Sequence, residues 1–179
     1  MNLHTTFVEL DKARHNRAVF ACGEKELDLF LKTQAAKHMK VGISKTLVLA
    51  DTREPIDGKH PICAFYTIAP GTVKRAFLPV ELAKKLPDYP VPVFLIARLA
   101  VDKKYQGKGI GRITLINVLE YLWKVNSRMA AYAVIVDCLT DDLQAFYQQY
   151  GFVVLGEYNN KLRMFLPMKV IERLFKTKR

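Results

Sequence analysis

Three alternating glycines, in Gln106-Gly107-Lys108-Gly109-Ile110-Gly111, give this 179-residue chain its clearest capacity for chemistry through the backbone alone. Glycine reaches positive φ and carries no Cβ, so such a run exposes N–H groups and lets a pyrophosphate approach them. Where the run opens a helix, unpaired N–H groups and the positive end of the helix dipole join it, and the corner attracts phosphate. Alternate glycines alone equally mark a tight turn with no ligand. Two familiar phosphate motifs do not fit. A Walker loop ends Gly-Lys-Ser/Thr, whereas Lys108 is followed by Gly109. A dinucleotide fingerprint requires an early βαβ unit with an acidic residue about 20 positions on.

The elements that must position this loop are legible around it. Residues 92–101 are apolar, β-branched and aromatic and close on Asp102-Lys103-Lys104, which predicts a buried strand. Residues 110–126 are apolar except for a stripe at Asn117, Glu120 and Lys124, a helical spacing. Upstream, residues 7–10 read as a first strand, and Leu27, Phe30, Leu31, Ala35 and Met39 as the apolar face of one amphipathic helix. Residues 44–51 and 62–69 form a hairpin around turn chemistry at 52–61, ended by Pro70-Gly71. A Pro-rich connection, 77–91, holds a short helical piece at 81–86. Downstream, 133–138 is another strand. Thr140-Asp141 then caps a helix running to Tyr150 and stopped by Gly151. Residues 153–156 and 163–166 give two last strands around Asn159-Asn160. The tail, 168–179, carries Val170, Ile171, Leu174 and Phe175 and ends Lys-Thr-Lys-Arg, either a short amphipathic helix or a basic end for polyanion contact.

Length and a half-hydrophobic composition predict one domain, 1–179, with 168–179 a basic extension. No apolar run approaches the ~20 residues of a membrane span, and residues 1–10 lack a signal-peptide core, so we expect a cytoplasmic protein with no membrane partner. Cys22, Cys63 and Cys138 lack CxxC spacing and the four His are scattered, which predicts buried thiols and no metal. Charge is more informative: 28 Lys plus Arg against 17 Asp plus Glu gives +11. An anionic partner follows, either coenzyme phosphates or nucleic acid, unless the surface is simply basic.

The spacing Gln-x-x-Gly-x-Gly, after a strand and at a helix start, resembles the coenzyme A pyrophosphate loop of GCN5-related N-acetyltransferases, the GNAT superfamily. Ala145-Phe146-Tyr147-Gln148-Gln149-Tyr150-Gly151-Phe152 resembles its second signature, in which a tyrosine faces the coenzyme sulfur. The resemblance implies an α/β GNAT fold: a mixed, mostly antiparallel central sheet of six or seven strands flanked by about four helices. It implies acetyl-CoA as cosubstrate, held by Gln106, Gly107, Lys108, Gly109, Ile110, Gly111 and Arg112. It further implies that Leu99, Ala100 and Val101, splayed by a bulge, supply an oxyanion-binding N–H, and that Tyr147 gives a proton to the departing thiolate. Tyr150 keeps a packing role.

Most of the chain is similar, more narrowly, to the GNAT-type toxins of bacterial toxin–antitoxin modules, the TacT/AtaT-like group. The matching pieces are Phe20-Ala-Cys-Gly23 with Leu27-Asp28 and Leu31-Lys32, Phe65-Tyr66-Thr-Ile-Ala69, the run from Val91 to Asp102 containing Ile-Ala-Arg-Leu-Ala-Val, the glycine loop, the Tyr147 segment, and Met164-Phe-Leu-Pro-Met168. That group transfers acetyl from acetyl-CoA to the α-amino group of aminoacyl-tRNA and stops translation. The resemblance therefore selects nucleic acid as the anionic partner and implies a homodimer and a ribbon-helix-helix antitoxin. Arg98, Lys32 and Lys37 are candidates for tRNA contact. A longer hairpin loop at 53–60 and the basic extension after Met168 depart from the pattern. Two other functions fit the residues less fully. One is acetylation of protein or small-molecule amines; the other is a non-catalytic nucleic-acid binder, which would need neither the glycine loop nor Tyr147.

Overall fold

A computed structural model describes residues 6–176. In chain order its elements are β1 (Val8–Glu9), β2 (His15–Asn16), α1 (Lys25–Leu29), α2 (Ala35–Val41), β3 (Lys45–Ala50), β4 (His60–Val73) and α3 (Val80–Ala83). There follow β5 (Val91–Val101), α4 (Ile110–Asn126), β6 (Ala133–Cys138), α5 (Asp141–Gln148), β7 (Val153–Tyr158), β8 (Lys161–Pro167) and α6 (Met168–Lys176). Contacts group the chain into two compact units, Met1–Ala69 with Arg98–Val118, and Pro70–Ala97 with Leu119–Arg179.

In the first unit β3 is flanked by antiparallel partners, with Val8↔Val48 on β1 and Lys45↔Ile68 to Ala50↔Ile62 on β4. The short β2, unforeseen in the connection after the first strand, pairs in parallel with the start of β4, His15↔His60. One face of these strands buries Val48, Ile62 and Phe65 with Phe20, Phe30, Leu31, Ala35 and Ala100. The apolar stripe expected of one helix faces this core, but the helix is not continuous. Residues Phe30–Gln34 form a π-turn between α1 and α2. The extra residue in that turn frees carbonyls that an α-helix would bond internally. Arg17 Nη1 donates to two of them, Leu31 O at 3.4 Å and Lys32 O at 2.9 Å. Thr33 Oγ1 also donates to Leu29 O, a back-bond that competes with regular winding. Helix α4 begins in the first unit, and its span matches the sequence reading. Of its polar stripe, Asn117 accepts from the buried Tyr66 hydroxyl at 2.9 Å, and Glu120 pairs with Lys124 one turn on at 2.7 Å.

In the second unit β5 and β6 run parallel from Val93↔Ala133 to Ile96↔Val136, and β5 continues to Val101. β6 pairs antiparallel with β8, and β8 with β7. Asn159 and Asn160, at φ 50° and 59°, make the tight turn between β7 and β8 that left-handed asparagines permit. Two boundaries differ from expectation. β4 does not end at Pro70-Gly71 but extends to Val73, because Val73 is itself buried among Val91, Val93 and Phe165. The helix after Thr140 ends at Gln148, with Gly151 at φ 88° completing its stop. The tail forms α6, with Met168 and Ile171 buried and Phe175 stacked on Trp123 at 5.5 Å. Residues 177–179 of the predicted basic end lie outside the described residues.

Candidate active site

The glycine loop sits in the first unit, and its conformation is fixed from both sides. Ahead of it Lys103–Tyr105 make one 3-10 turn, capped by Asp102 Oδ1 accepting from the Lys104 N–H at 2.9 Å. The other oxygen, Oδ2, accepts from the Ala21 N–H at 2.9 Å, while the Lys103 N–H donates to Ala21 O at 2.9 Å. The loop is thereby laced to the Phe20-Ala21-Cys22 segment. Gln106 adds a second fastening: its side-chain amide donates at 2.8 Å to both Cys22 O and Val101 O. The Gln106 backbone N–H is also engaged, donating to Asp102 O at 3.1 Å, so Gln106 braces the loop through both its side chain and its backbone.

Gly107 and Gly109, at φ 71° and 78°, are exposed, and a Cβ built on either meets nothing within 4 Å. Space is open on the side of each glycine where a Cβ would stand. Immediately afterwards α4 begins at Ile110 and runs 17 residues. Its first turn has N–H groups without intrahelical acceptors and carries the positive end of the dipole. Lys108 and Arg112 are exposed beside this corner, and the Lys108 ammonium donates to Lys104 O at 2.8 Å. Fixed backbone donors, positive φ glycines and nearby cations together suit a pyrophosphate. Of the strand that leads in, Ala100 is buried in the core, while Leu99 and Val101 are half-buried.

Tyr147 lies in the second unit on α5. Thr140 Oγ1 caps that helix by accepting from the Leu143 N–H at 3.3 Å, with Asp141 and Asp142 in its first turn. The Tyr147 side chain is 6 % exposed and its ring meets Phe146 and Phe152 edge-on, each at 5.3 Å. Among the described residues its hydroxyl has no hydrogen-bond partner. Burial, with a smaller contribution from the neighbouring Cys138 thiol, pushes its pKa well above the usual phenol range. The group is thus a neutral O–H donor at any physiological pH. Tyr150 packs edge-on against Phe146 at 5.2 Å, consistent with its assigned packing role.

Of the three basic candidates, Arg98 departs most from a surface salt bridge. Its guanidinium carbon stands 3.7 Å above the Phe30 ring, and its Nε is buried without a partner. Burial lowers its pKa, opposed by attraction to Glu26. Phe30 is the first residue of the π-turn. Lys32, within that turn, is half-buried; Lys37, on α2, is exposed. Cys63 and Cys138 are buried free thiols pushed up to about 11 by burial, and Cys22 is half-buried with the same shift. Among the described residues no group of three or more His, Cys, Asp and Glu could hold a metal ion, and no helix is long and apolar enough to cross a membrane.

Sequence reasoning missed the long-range partners of the loop. Asp51, at the end of β3, accepts a 2.7 Å hydrogen bond from Tyr105, 54 positions away. Nothing local to either residue announces that pairing; the only hint was a large aromatic placed directly ahead of the glycines.

A strand, a glycine loop at positive φ and a long helix entered from that loop are the geometry of a phosphate-binding corner. Residues 71–154, which include the loop and Tyr147, match the family profile described as acetyltransferase (GNAT) domain. The chain belongs to the GNAT acetyltransferases, enzymes that take acetyl from acetyl-CoA. It is 33% identical over 150 residues to a tRNA-acetylating toxin of Mycobacterium tuberculosis, covering 84% of each chain. It is 30% identical over 173 residues to a probable toxin TacT of Sinorhizobium fredii, covering 92% of each. Among solved structures, AtaT complexed with acetyl-methionyl-tRNAfMet has a TM-score of 0.83 at 26% identity, covering 95% of this chain and 98% of that one. AtaTR bound with acetyl-CoA has a TM-score of 0.80 at 28% identity, covering 95% and 97%. An AtaT mutant toxin bound to the C-terminus of the antitoxin AtaR has a TM-score of 0.78 at 25% identity, covering 95% and 97%.

Proposed function

We propose that this chain acetylates the α-amino group of aminoacyl-tRNA with acetyl-CoA as donor, blocks translation by doing so, and is the toxin of a toxin–antitoxin pair. The observation that carries the choice of acceptor is similarity along 84% of the chain to a tRNA-acetylating toxin. We read the whole chain as one domain with a basic extension at 168–179, since β4, β5 and α4 each run unbroken from one compact unit into the other. The partners in this reading are charged tRNA, a ribbon-helix-helix antitoxin and a second copy of the chain, and the location is cytoplasmic.

The chemistry needs little from the protein beyond placement. An α-amino group titrates near 8, so a useful fraction is neutral at cellular pH and no strong general base is required. Backbone N–H groups at Gly107, Lys108, Gly109, Ile110, Gly111 and Arg112 hold the pyrophosphate, and Gln106, whose own N–H donates to Asp102 O at 3.1 Å, acts by bracing that segment. The amine attacks the thioester carbonyl, forming the C–N bond, and an N–H of Leu99, Ala100 or Val101 takes the developing oxyanion. Collapse breaks the C–S bond, and Tyr147 donates its proton to the leaving sulfur; a proton lost from the amine restores the balance through solvent. Arg98, its guanidinium carbon 3.7 Å from the Phe30 ring centroid, contacts a tRNA phosphate or the amino-acid ester of the acceptor. Lys32 and Lys37 contribute sequence-independent attraction to tRNA.

The test is chemical. Charged tRNA incubated with the protein and acetyl-CoA, then digested with nuclease, yields aminoacyl-adenosine heavier by one acetyl group. Unmodified aminoacyl-adenosine alongside acetylated protein or small amines in the same mixture would transfer the assignment to those acceptors.

A further inference from the structure

The glycine loop has almost no side chains of its own with which to hold its shape, and the phosphate donors are backbone groups whose spacing must be kept. Tyr105, the residue directly ahead of Gln106, is 2 % exposed and its hydroxyl donates to Asp51 Oδ2 at 2.7 Å. Asp51 is also 2 % exposed, a buried carboxylate at the C-terminal end of β3. Its charge is answered by Arg53, with Nε on Oδ1 at 2.8 Å and Nη2 on Oδ2 at 2.6 Å. The Arg53 backbone N–H adds a further bond to Oδ1 at 3.1 Å, and the Asp51 N–H donates to Pro61 O at 2.8 Å. The carboxylate is therefore pinned at the base of the hairpin loop between β3 and β4. A second link runs from the same hairpin: Glu54 pairs with Lys104 at 3.7 Å. Lys104 and Lys108 place their ammonium groups 5.6 and 5.8 Å from the Tyr105 ring centroid, so the same ring gathers two cations at the loop.

We propose that Tyr105 and Asp51 are positioning residues for the coenzyme loop: their buried hydrogen bond, closed by Arg53, ties the loop to the hairpin after β3 and sets its N–H groups for the pyrophosphate. This rests on the loop being the pyrophosphate site. Burial holds the Tyr105 proton in place and Arg53 keeps Asp51 ionised, so the pair does not exchange roles near neutral pH. A group that acts through the loop affects only donors that possess a pyrophosphate. A group that merely stabilises the fold affects all donors alike.

The experiment compares acetyl-CoA with S-acetylpantetheine, which lacks the pyrophosphate, for wild type, Tyr105→Phe, Asp51→Asn, the double variant and Gly109→Glu. Tyr105→Phe keeps the ring and removes one hydrogen bond to a charged acceptor. The KM for acetyl-CoA is expected to rise about tenfold, with kcat within about twofold and the acetylpantetheine KM unchanged. Asp51→Asn shifts it in the same direction, and the double variant is no worse than the poorer single one. If Tyr105→Phe and Asp51→Asn leave the donor preference as in wild type while Gly109→Glu changes it, the positioning role is overturned and the loop assignment stands. If Gly109→Glu leaves the preference unchanged as well, the loop is not the pyrophosphate site and both ideas fall.

Discussion

The glycine-loop corner and the surroundings of Tyr147 are built on opposite plans. At the corner the polar side chains that brace the loop have protein partners: Asp102 binds two N–H groups, Gln106 two carbonyls and Asp51 a tyrosine and an arginine. Around Tyr147 the neighbours are aromatic rings and a buried thiol, and the hydroxyl has no partner among the described residues. The contrast suits the two tasks proposed for these regions, coenzyme binding and proton donation. A binding site must arrive preorganised, because mobile donors would lose part of the binding energy in becoming ordered. A proton donor does better unengaged, since an existing hydrogen bond would have to break before the proton moved. Burial adds that the proton stays on Tyr147 until a stronger base than water is presented.

The largest way to break this comparison is to remove the donor while sparing the corner. Tyr147→Phe should lower kcat by about a hundredfold or more and leave acetyl-CoA affinity by calorimetry unchanged. Unimpaired turnover would mean that the sulfur takes its proton elsewhere. The same assignment predicts a pH profile. Activity rises as the acceptor amine loses its proton near 8. Because the folded-state pKa of Tyr147 is raised, its protonated form persists above the ordinary value, so the rate should not fall at about 10. A falling limb at that pH in the wild type, in an otherwise stable protein, would place the phenol in water rather than in its aromatic surroundings.

The next effect isolates the corner. Gly109→Glu forces a side chain onto a backbone at φ 78° and puts a negative charge where phosphate would lie. Acetyl-CoA affinity should weaken by roughly tenfold or more, read by calorimetry, with the α5 side of the chemistry untouched. The smallest expected effect concerns the acceptor. Arg98→Ala should raise the KM for charged tRNA by about three- to tenfold and leave that for acetyl-CoA alone. Arg98→Lys should not restore it, because an ammonium cannot lie flat on the Phe30 ring as a guanidinium does.

How much of this could be read in the sequence divides along the same lines as the physics. Local, periodic features were legible. Helix α4 begins and ends where its apolar pattern does, β6 coincides with Ala133–Cys138, and the cap at Thr140 is the one its side chain makes. The turn at Gly107 and Gly109 leading into α4 was legible for the same reason: its conformation is set by consecutive residues. Features decided by distant contacts were not. β4 passes through Pro70-Gly71 because Val73 finds a burial site, which no local turn signal could reveal. The π-turn at Phe30–Gln34 depends on Arg17, more than a dozen positions upstream, to satisfy its carbonyls. Nothing near Gln106 in the sequence shows that its side-chain amide is spent on Cys22 O, 84 positions away. The Asp51–Tyr105 bond joins residues whose separate patterns suggest only a strand end and a loop start.

The central claim is that acetyl passes from acetyl-CoA to the amine of a charged tRNA with Tyr147 as the proton donor. Its most direct test is to follow radiolabelled acetyl into total charged tRNA and into the same tRNA after deacylation, with wild type and Tyr147→Phe. The account predicts label on charged tRNA only, and its near-complete loss in the variant. Label on neither, with coenzyme binding intact, or equal label on the deacylated tRNA would contradict it.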